Sequence, residues 1–430
     1  MDTIYALATV RGRAGISVVR ISGEYASKAL IYFGSSVPQP RCATLRTLVS
    51  PDGGKLDQAI VILFPEGSSY TGEETVELHL HGGIATADAV LRELSALPGF
   101  RLATPGEFSL RALHAGRLSL TEIEGLSDLV NAETEVQRRQ ARRLLDGELA
   151  KKASLWRQAL LRCTALLEAV MEFADEDLPQ DSVPEALELM IELRNGLAEE
   201  LAGIDAGERI RDGFEVAIIG PPNVGKSTLL NRLAGREAAL TSEFAGTTRD
   251  VLEVRMDLEG IPVTFLDTAG IRESEDPIEQ LGVERALARA EKADMRVFLV
   301  EDSTAVDSGP PRRPADLVLR AKGDLLPECR HGTISGRTGQ GVRNMLEQVV
   351  VELSGKTATA GAASTERHRI SLSASIASLA EAISEIEGRG RHEIAADELR
   401  QASQQLAILL GEVDIEHVLD ELFSGLCIGK

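Results

Sequence analysis

The stretch that decides the fold of this chain runs from Gly220 to Thr228 and reads Gly-Pro-Pro-Asn-Val-Gly-Lys-Ser-Thr. The apolar, β-branched run at 214–219 predicts a buried strand before it, and 229–234 predicts a helix after it. In this strand–loop–helix context, G-x-x-x-x-G-K-S is typical of a P-loop. Backbone N–H groups surround a phosphate chain, Lys226 reaches the β- and γ-phosphates, and the Ser227 hydroxyl holds Mg²⁺. The stretch therefore predicts a nucleoside triphosphate site.

Four further motifs follow in a fixed order. Residues 246–250 (Gly-Thr-Thr-Arg-Asp) place a threonine where it completes the Mg²⁺ shell of the triphosphate state and lets go after hydrolysis. Residues 267–270 (Asp-Thr-Ala-Gly) follow an apolar strand, so the carboxylate holds Mg²⁺ through water and the glycine N–H meets the γ-phosphate. Residues 321–324 (Ala-Lys-Gly-Asp) offer an aspartate to the guanine edge, and 334–339 supply a loop to close over the base. Together the motifs predict a GTPase.

Two details bear on hydrolysis. Ile271 stands after Asp-Thr-Ala-Gly, where many GTPases use a glutamine to orient water. An aliphatic side chain cannot do this, and Glu279 is the candidate replacement, although the spacing fits a solvated helix carboxylate equally well. Asn223 offers an amide oxygen near the β/γ bridge, where a monovalent cation would supply the charge that an arginine finger supplies elsewhere.

The composition of the chain indicates which kinds of partner it can bind and where it is located. The net charge of −21 disfavours sequence-independent binding to phosphate backbones, so we expect any nucleic-acid contact to be local or carried by a partner. The four cysteines show no paired spacing, which disfavours a zinc site or disulfide framework and fits a reducing cytoplasm. No apolar run approaches the length of a membrane span, and the N-terminus lacks a signal-peptide pattern. We therefore expect a cytoplasmic protein with no membrane partner.

The pattern along the chain predicts a multidomain protein, α/β plus all-α. Residues 1–117 indicate a mixed α/β domain, with strands at 16–21, 58–64 and 75–81. Residues 118–210 and 356–430 are helical in period, and 211–355 alternate strand and helix, which is typical of a mostly parallel sheet with helices on both faces. The economical topology is one helical domain built from both flanks, with a Ras-like nucleotide domain inserted in it. A small-residue run at 357–365 indicates a linker.

Beyond these patterns, the chain resembles the MnmE (TrmE) family of bacterial tRNA-modification GTPases over essentially its full length. The motifs that carry the resemblance, besides the GTPase motifs, are Asp2-Thr3-Ile4, Arg20-Ile21-Ser22-Gly23, Tyr70-Thr71-Gly72-Glu73-Glu74, His81-Gly82-Gly83, Pro105-Gly106-Glu107-Phe108-Ser109 and Cys427-Ile428-Gly429-Lys430. The terminal Cys-Ile-Gly-Lys is the most specific of them.

The resemblance implies a function and partners. Members combine an N-terminal folate-binding and dimerisation domain, a helical domain and an inserted G domain. With an MnmG-type FAD flavoprotein, in a heterotetramer, they modify C5 of wobble uridine 34 of certain tRNAs. The one-carbon unit comes from a tetrahydrofolate derivative, in the 5-formyl or 5,10-methylene form, and glycine or ammonium supplies the amine. GTP hydrolysis to GDP depends on Mg²⁺, on K⁺ and on G domains meeting across a homodimer. The tRNA is expected to bind mostly through the flavoprotein.

The resemblance also implies site residues. The folate contacts fall on Arg20, Glu77, Arg117 and Lys430, with Arg117 standing where relatives often have lysine. Cation-binding positions fall on Asn223, Ser242, Phe244 and Thr247, and Mg²⁺ ligands on Ser227 and Thr248. Catalytic roles fall on Lys226, on Glu279 as the water-orienting carboxylate, and on Cys427, a thiol that packing explains equally well. The nucleotide-lining positions are Asn223, Val224, Gly225, Lys226, Ser227, Thr228, Ser242, Glu243, Phe244, Ala245, Gly246, Thr247, Thr248, Asp267, Thr268, Ala269, Gly270, Lys322 and Asp324.

One position departs from the family pattern. The base-reading motif of the family begins with asparagine, and here Ala321 stands at that position. The change removes a hydrogen bond to guanine and a brace to the P-loop, so we expect weak GTP affinity with guanine preference retained through Asp324.

Other classes of protein share part of this pattern. A GTPase switch on ribosomal RNA has the same motifs but usually carries a basic RNA-binding module, which the acidic charge disfavours. The arginines at 138, 139, 142 and 143 form a basic turn that fits a solvated face better than an RNA contact. A P-loop kinase would not explain residues 246–250 or Asp324.

Overall fold

The computed structural model describes residues 2–172, 182–236, 238–240, 253–267, 288–301, 311–326, 332–413 and 429. The chain divides into two compact units, one of residues 1–127 with 406–430 and one of residues 128–405. Mixed α/β and long helical segments both occur, which confirms that part of the predicted fold class. The division into three domains stays a prediction. Across the described residues, no helix combines the length and the apolar character needed to cross a lipid bilayer.

The first unit is built on a six-stranded sheet. The strands are β1 (Thr3–Leu7), β2 (Ile16–Ser22), β3 (Thr44–Val49), β4 (Lys55–Phe64), β5 (Thr75–His81) and β6 (Phe100–Leu102). Their order is β3-β4-β5-β2-β1-β6, and β6 is parallel to β1 while the other neighbours are antiparallel. The helices that follow in this part of the chain are α1 (Lys28–Tyr32), α2 (Ile84–Ser95), α3 (Glu107–His114) and α4 (Leu120–Asn131).

Strand β5 shows why the sheet has two unlike faces. Its residues alternate, so Val76, Leu78 and Leu80 are buried in a core shared with α1 and α2. Glu77 and His79 are half-buried on the other face. The register opposes Arg20 of β2 to Glu77. Alternation therefore places a charged pair in the middle of the sheet, as the period-two pattern of 75–81 predicts.

The second unit contains a five-stranded sheet. Its strands are β7 (Phe214–Ile219), β8 (Glu253–Leu258), β9 (Ile261–Asp267), β10 (Met295–Val300) and β11 (Leu317–Arg320), in the order β11-β10-β7-β9-β8. Only β8 runs antiparallel to its neighbour. Every residue of β9 and β10 is buried, which is typical of parallel strands covered on both faces. The mostly parallel sheet agrees with the alternation of strand and helix in the sequence.

Helices surround this sheet. Those before it are α5 (Glu135–Leu145), α6 (Glu148–Glu172), α7 (Ser182–Ala202) and α8 (Ile204–Asp212), and those after it are α9 (Lys226–Ala234), α10 (Val342–Thr357), α11 (Glu366–Arg389) and α12 (His392–Leu410). Leu229 and Leu230 of α9 and Val349 of α10 pack into the core of the sheet. On its opposite face Ala290 and Ala293 pack against Ala217. The apolar stripe of 149–170 forms α6, as its three- and four-residue spacing predicts.

The helical pattern of residues 118–210 is interrupted at Gly203, between α7 and α8. A Cβ on Gly203 would lie 2.5 Å from the backbone nitrogen of Gly361. The small-residue run after α10 lies against the interruption between α7 and α8. Ala362, Ala363 and Ser364 of this run are buried. We call residues 361–364 the buried strap. The predicted linker does connect α10 to α11, and in addition the small size of these residues lets the backbone lie close to Gly203.

The first turn of α5 contacts the hairpin between β8 and β9. Thr134 caps the helix, and Val136 donates its N–H to the carbonyl of Gly260 at 3.1 Å. The Val136 side chain packs against the core of the sheet. Glu259 and Gly260 both have positive φ, 53° and 89°, as a two-residue hairpin turn requires. The hairpin of the five-stranded sheet therefore accepts a hydrogen bond from an N–H group in the first turn of α5.

Candidate functional site

The P-loop connects β7 to α9. Gly220 is required at its start, since a Cβ there would lie 2.5 Å from the carbonyl oxygen of Leu299 on β10. Asn223 and Gly225 have φ of 61° and 113°, so the loop turns back before the helix begins at Lys226. Free N–H groups of the first helical turn face the loop, which makes this end of α9 suited to an anion.

Lys226 lies over the loop. Its Nζ donates to the carbonyl oxygens of Gly220 at 2.6 Å and Pro221 at 2.9 Å, and the residue is 5% exposed. Burial lowers the pKa of the Lys226 ammonium from its usual value, and the nearby charge of Asp267 opposes that shift. The amine is thus fixed at the phosphate end of the site, as the motif predicts.

Ser227 and Asp267 come together although 40 residues separate them. The Ser227 hydroxyl donates to Asp267 Oδ2 at 2.8 Å. The pair forms because α9 begins beside the end of β9, which is next to β7 in the sheet. A hydroxyl and a carboxylate oxygen side by side are the donors that Mg²⁺ prefers. The residues present therefore fit the ion that the motifs imply.

A cavity of about 290 Å³ opens beside the P-loop and runs to the chain after β11. Asn223, Val224 and Thr228 line one end, and Lys322 and Asp324 line the other. A hydrogen bond from Ser335 lowers the pKa of the Asp324 carboxyl below its usual range, against a smaller effect of burial. Asp324 is therefore an ionised acceptor at the far end of the cavity.

The loop at 335–337 forms the wall of this cavity. A Cβ on Gly336 would lie 2.7 Å from the backbone nitrogen of Leu229, so the loop lies directly on the first turn of α9. Arg232 donates to the carbonyl of Thr338 at 2.9 Å and fixes the same loop. The predicted base-closing loop and the P-loop thus belong to one site.

Ala321 lies between the two ends of the cavity. Its N–H donates to the carbonyl of Val300 at 2.8 Å, and its methyl group is 6% exposed in the apolar core beneath the cavity. It brings no polar side chain to the site, as expected from the departure in the sequence. Lys322 has a positive φ of 55° and pairs with Glu301 at 2.8 Å.

Several predicted site residues lie outside the described residues. These are Ser242, Glu243, Phe244, Ala245, Gly246, Thr247, Thr248, Thr268, Ala269, Gly270, Glu279, Cys427 and Lys430. The described part of the predicted site therefore consists of the P-loop, Asp267 and the Lys322–Asp324 segment, together with Arg20, Glu77 and Arg117 of the N-terminal unit.

In the first unit, Arg20 and Glu77, two of the predicted folate contacts, form an ion pair. Arg20 donates to Glu77 Oε1 from Nε at 3.1 Å and from Nη2 at 2.9 Å. Its guanidinium also lies 5.5 Å from the ring centre of Tyr70 and 5.7 Å from that of Phe108. The third donor, Nη1, reaches the carbonyl of Gly429 at 3.2 Å, so the end of the chain joins the site.

Arg117, the third of these positions, packs beside Gly72. Its Cγ is 3.4 Å from the position that a Cβ on Gly72 would occupy, two residues from Tyr70. Sequence reasoning did not assign Tyr70, Phe108 or His79, which touch Arg20 or Glu77. The aromatic residues lie in the quoted motifs, and His79 lies two residues from Glu77 on the same face of β5, so alternation was the available signal.

The arginines of the basic turn on α5 are all paired with carboxylates. Each of its four arginines has an acidic partner within 3 Å, which favours the solvated-face interpretation over an RNA contact. The pairs are Arg138–Glu135, Arg139–Glu135, Arg142–Asp146 and Arg143–Glu148.

A P-loop lysine, a serine–aspartate pair and a cavity that ends at an ionised aspartate define a P-loop GTPase. The MnmE helical domain model matches residues 120–427, and the model of the GTP-binding protein TrmE N-terminus matches residues 3–117. The tRNA modification GTPase MnmE of Cereibacter sphaeroides (strain ATCC 17029) is 52% identical over 432 residues, and that of Dinoroseobacter shibae is 50% identical over 430 residues, with 100% of both chains covered in each case. The chain therefore belongs to the MnmE (TrmE) family of tRNA modification GTPases.

Among solved structures, a GTP-binding protein from Sulfolobus solfataricus in complex with GDP aligns with 46% of this chain and 67% of its own length. Its sequence identity is 13% and its TM-score is 0.24.

Proposed function

We propose that this GTPase hydrolyses GTP in a potassium-stimulated cycle that drives modification of wobble uridine 34 in certain tRNAs. It acts as a homodimer with an MnmG-type FAD flavoprotein, in a heterotetramer, and installs a carboxymethylaminomethyl group at C5. The one-carbon unit comes from methylene-tetrahydrofolate. The observation that carries the proposal is the single cavity that joins the P-loop to Asp324 and so matches a guanine nucleotide.

At the phosphate end of the cavity, positive charge attracts the phosphates of the nucleotide. Lys226 and the N–H groups of the α9 turn meet the β- and γ-phosphates, while Asp324 accepts the N–H edge of guanine. Ser227, Asp267 and Thr248 would hold Mg²⁺. When bound, Mg²⁺ neutralises charge on the β- and γ-oxygens.

Hydrolysis needs two further groups, a monovalent cation and a residue that orients the attacking water. Asn223 lines the cavity beside the P-loop, and its amide oxygen, with Ser242, Phe244 and Thr247, would hold K⁺. When bound, K⁺ supplies positive charge near the β/γ bridge. Glu279 orients the attacking water. Contact between the two G domains of the dimer completes this set of groups, and that contact ends after hydrolysis.

The Arg20–Glu77 site suits a folate. Arg20 lies against two aromatic rings, and Glu77 presents a carboxylate that is 16% exposed beside it. This arrangement fits a planar pterin with N–H groups on its edge, and Arg117 and Lys430 fit the carboxylates of its tail. A tetrahydrofolate bound here would supply the one-carbon unit, and Cys427 stays a candidate catalytic thiol.

The potassium mechanism is tested by turnover of GTP in matched K⁺ and Na⁺ salts. We expect turnover to be about tenfold or more faster in K⁺, because the cation supplies transition-state charge. Asn223→Gly tolerates the left-handed backbone at φ of 61° and removes the side chain that carries the amide oxygen, so it should lose the difference between the two salts. Equal wild-type rates in the two salts would falsify the cation mechanism.

The tRNA role is tested by mass spectrometry of wobble nucleosides from cells that lack the protein. The C5 modification should disappear, return with the wild-type gene and stay absent with Ser227→Ala, which removes the Mg²⁺ hydroxyl. If the nucleosides are unchanged in cells without the protein, the ribosomal RNA switch becomes the better interpretation.

A further inference from the structure

Arg20 connects strand β2 to a residue near the carboxyl end of the sequence. Its Nε and Nη2 both donate to Glu77 Oε1, at 3.1 and 2.9 Å. Its Nη1 donates to the backbone carbonyl of Gly429 at 3.2 Å. A guanidinium carries five N–H donors in a rigid fork, and these contacts use three of them. Arg20 is therefore bound on both sides, by a carboxylate and by a main-chain carbonyl.

Two aromatic rings restrict the guanidinium of Arg20 further. The ring centres of Tyr70 and Phe108 lie 5.5 and 5.7 Å from its central carbon, within the range of a cation–π contact. Neither ring can easily turn away, because the Tyr70 hydroxyl is hydrogen-bonded to Ser109 Oγ at 2.8 Å and Phe108 is fully buried. The direction of Nη1 is therefore set by the protein, and it leads to Gly429.

The backbone of Gly429 lies directly on the end of β1. A Cβ at this position would lie 2.3 Å from the Cα of Ala8 and 2.6 Å from the carbonyl oxygen of Leu7. This surface is itself fixed, because the N–H of Ala8 donates to the carbonyl of Val18 on β2 at 2.7 Å. Only glycine fits here without a shift of the backbone, and the close approach brings its carbonyl within reach of Arg20.

The link between Arg20 and Gly429 lies between two of the predicted folate contacts. Glu77 is the acceptor on one side of Arg20, and Lys430 follows Gly429 directly in the sequence. Because consecutive Cα atoms are about 3.8 Å apart, a fixed Gly429 limits where the next residue can lie. A lysine at position 20 could not make this link, since one ammonium on a flexible stem does not hold two acceptors on opposite sides.

We propose that Arg20 is a positioning residue of the folate site, which acts by holding the backbone of Gly429 against β1. A reduced folate is bound tightly only by a chain in which this link is made. The inference rests on the proposed folate function. It gives Gly429 a specific role, because the position must be glycine for its carbonyl to reach the guanidinium.

The link itself is tested without folate, by hydrogen–deuterium exchange of the full-length protein read by mass spectrometry. The peptide that contains Gly429 should exchange about tenfold faster in Arg20→Lys and in Gly429→Ala, because either change breaks the link. Peptides from β5 and α2 should keep their wild-type rates, which a general loss of stability would not allow. Gly12→Ala is the matched control in the same unit, since a Cβ there meets no atom within 4 Å, and it should behave as the wild type.

Folate binding is then measured by calorimetric titration with 5-formyltetrahydrofolate. Arg20→Lys and Gly429→Ala should each raise the dissociation constant about tenfold, as the loss of one charge-assisted hydrogen bond does. The double variant should also lose about tenfold, because both changes break the same link. If Arg20 acted on the folate independently of Gly429, the two losses would multiply to about a hundredfold.

The outcomes separate this inference from the function beneath it. If the peptide with Gly429 keeps its wild-type exchange in Arg20→Lys, or if exchange rises throughout the unit, the inference is wrong while folate binding stands. The same holds if the double variant loses about a hundredfold, or if a folded Gly429→Ala binds folate as the wild type does. If the wild type binds no folate, both the inference and the folate part of the proposed function fail.

Discussion

Replacing Ala321 by asparagine should strengthen nucleotide binding. Ala321 follows the last residue of β11, and its backbone is already fixed by the 2.8 Å bond from its N–H to Val300. The methyl group borders the cavity of about 290 Å³ together with Val224 and Asp324. A carboxamide there would point into space that the nucleotide base and the P-loop backbone share. The substitution therefore adds donors and an acceptor without rebuilding the strand.

The magnitude follows from two added hydrogen bonds. Each contributes about 0.5–1.5 kcal/mol, one to the base and one to the P-loop, for a total of about 1–3 kcal/mol. Ordering the asparagine side chain costs up to about 1 kcal/mol. The net gain of about 1.4 kcal/mol corresponds to about a tenfold lower dissociation constant.

The assay is calorimetric titration of GDP with Mg²⁺ present, on wild type, Ala321→Asn and Ala321→Ser. Serine is polar but too short to bridge the base and the loop, so it should change the constant less than about threefold. ADP should stay a poor ligand of all three proteins, because Asp324 remains the reader of the guanine edge. An unchanged GDP constant in a folded Ala321→Asn variant would refute the idea that this position weakens the site.

Three further outcomes concern stability. Glu200→Ala should lower the free energy of unfolding by about 3 kcal/mol in urea titrations, because its Oε1 accepts the buried N–H groups of the strap at 2.6 and 2.8 Å; the exposed neighbour change Glu199→Ala should cost less than about 0.5 kcal/mol. Gly203→Ala should destabilise by about 1–3 kcal/mol through its 2.5 Å clash, whereas Gly355→Ala, with open space on α10, should stabilise by about 0.5–1 kcal/mol in thermal melts. Burial opposes ionisation of Glu107, but hydrogen bonds from two arginines outweigh it and hold the pKa of its carboxyl below the usual value. That stabilisation is present above the pKa of the unfolded chain and is lost as pH falls through the lower folded pKa, so acid unfolding of Glu107→Gln should show a shallower pH dependence; an identical slope would contradict the assignment.

Local patterns predicted the elements that carry the nucleotide. The run at 214–219 forms β7, and α9 begins at the motif lysine, because a strand–loop–helix unit is encoded by neighbouring residues. The interruption at Gly203 could not be predicted in the same way. It is caused by the approach of Gly361, far along the chain, and a glycine within a helical pattern does not say which backbone will lie against it.

In the candidate site, too, the residues of local motifs could be predicted from the sequence, whereas contacts between distant segments could not. Lys226, Ser227, Asp267 and Asp324 were predicted because their motifs have fixed spacing. The hydrogen bond from Ser335 to Asp324 and the contact of His79 with Glu77 depend on tertiary placement. The alternation on β5 put His79 on the correct face, but the sequence offered no distance between the two side chains.

Two sets of hydrogen bonds connect the nucleotide sheet, and the chain that follows it, to helices of the second unit. At one end of β9, Asp267 contacts Ser227, and at the other end the hairpin carbonyl of Gly260 accepts the N–H of Val136 at 3.1 Å. After α10, two backbone N–H groups of the buried strap donate hydrogen bonds to Glu200 on α7. A packed interior deforms little, so a shift of β9 during the GTP cycle must either move α5 and the strap or be resisted by them. Coupling of hydrolysis to the rest of the molecule therefore does not need a flexible linker, and its free energy is the difference that these contacts make between the two nucleotide states.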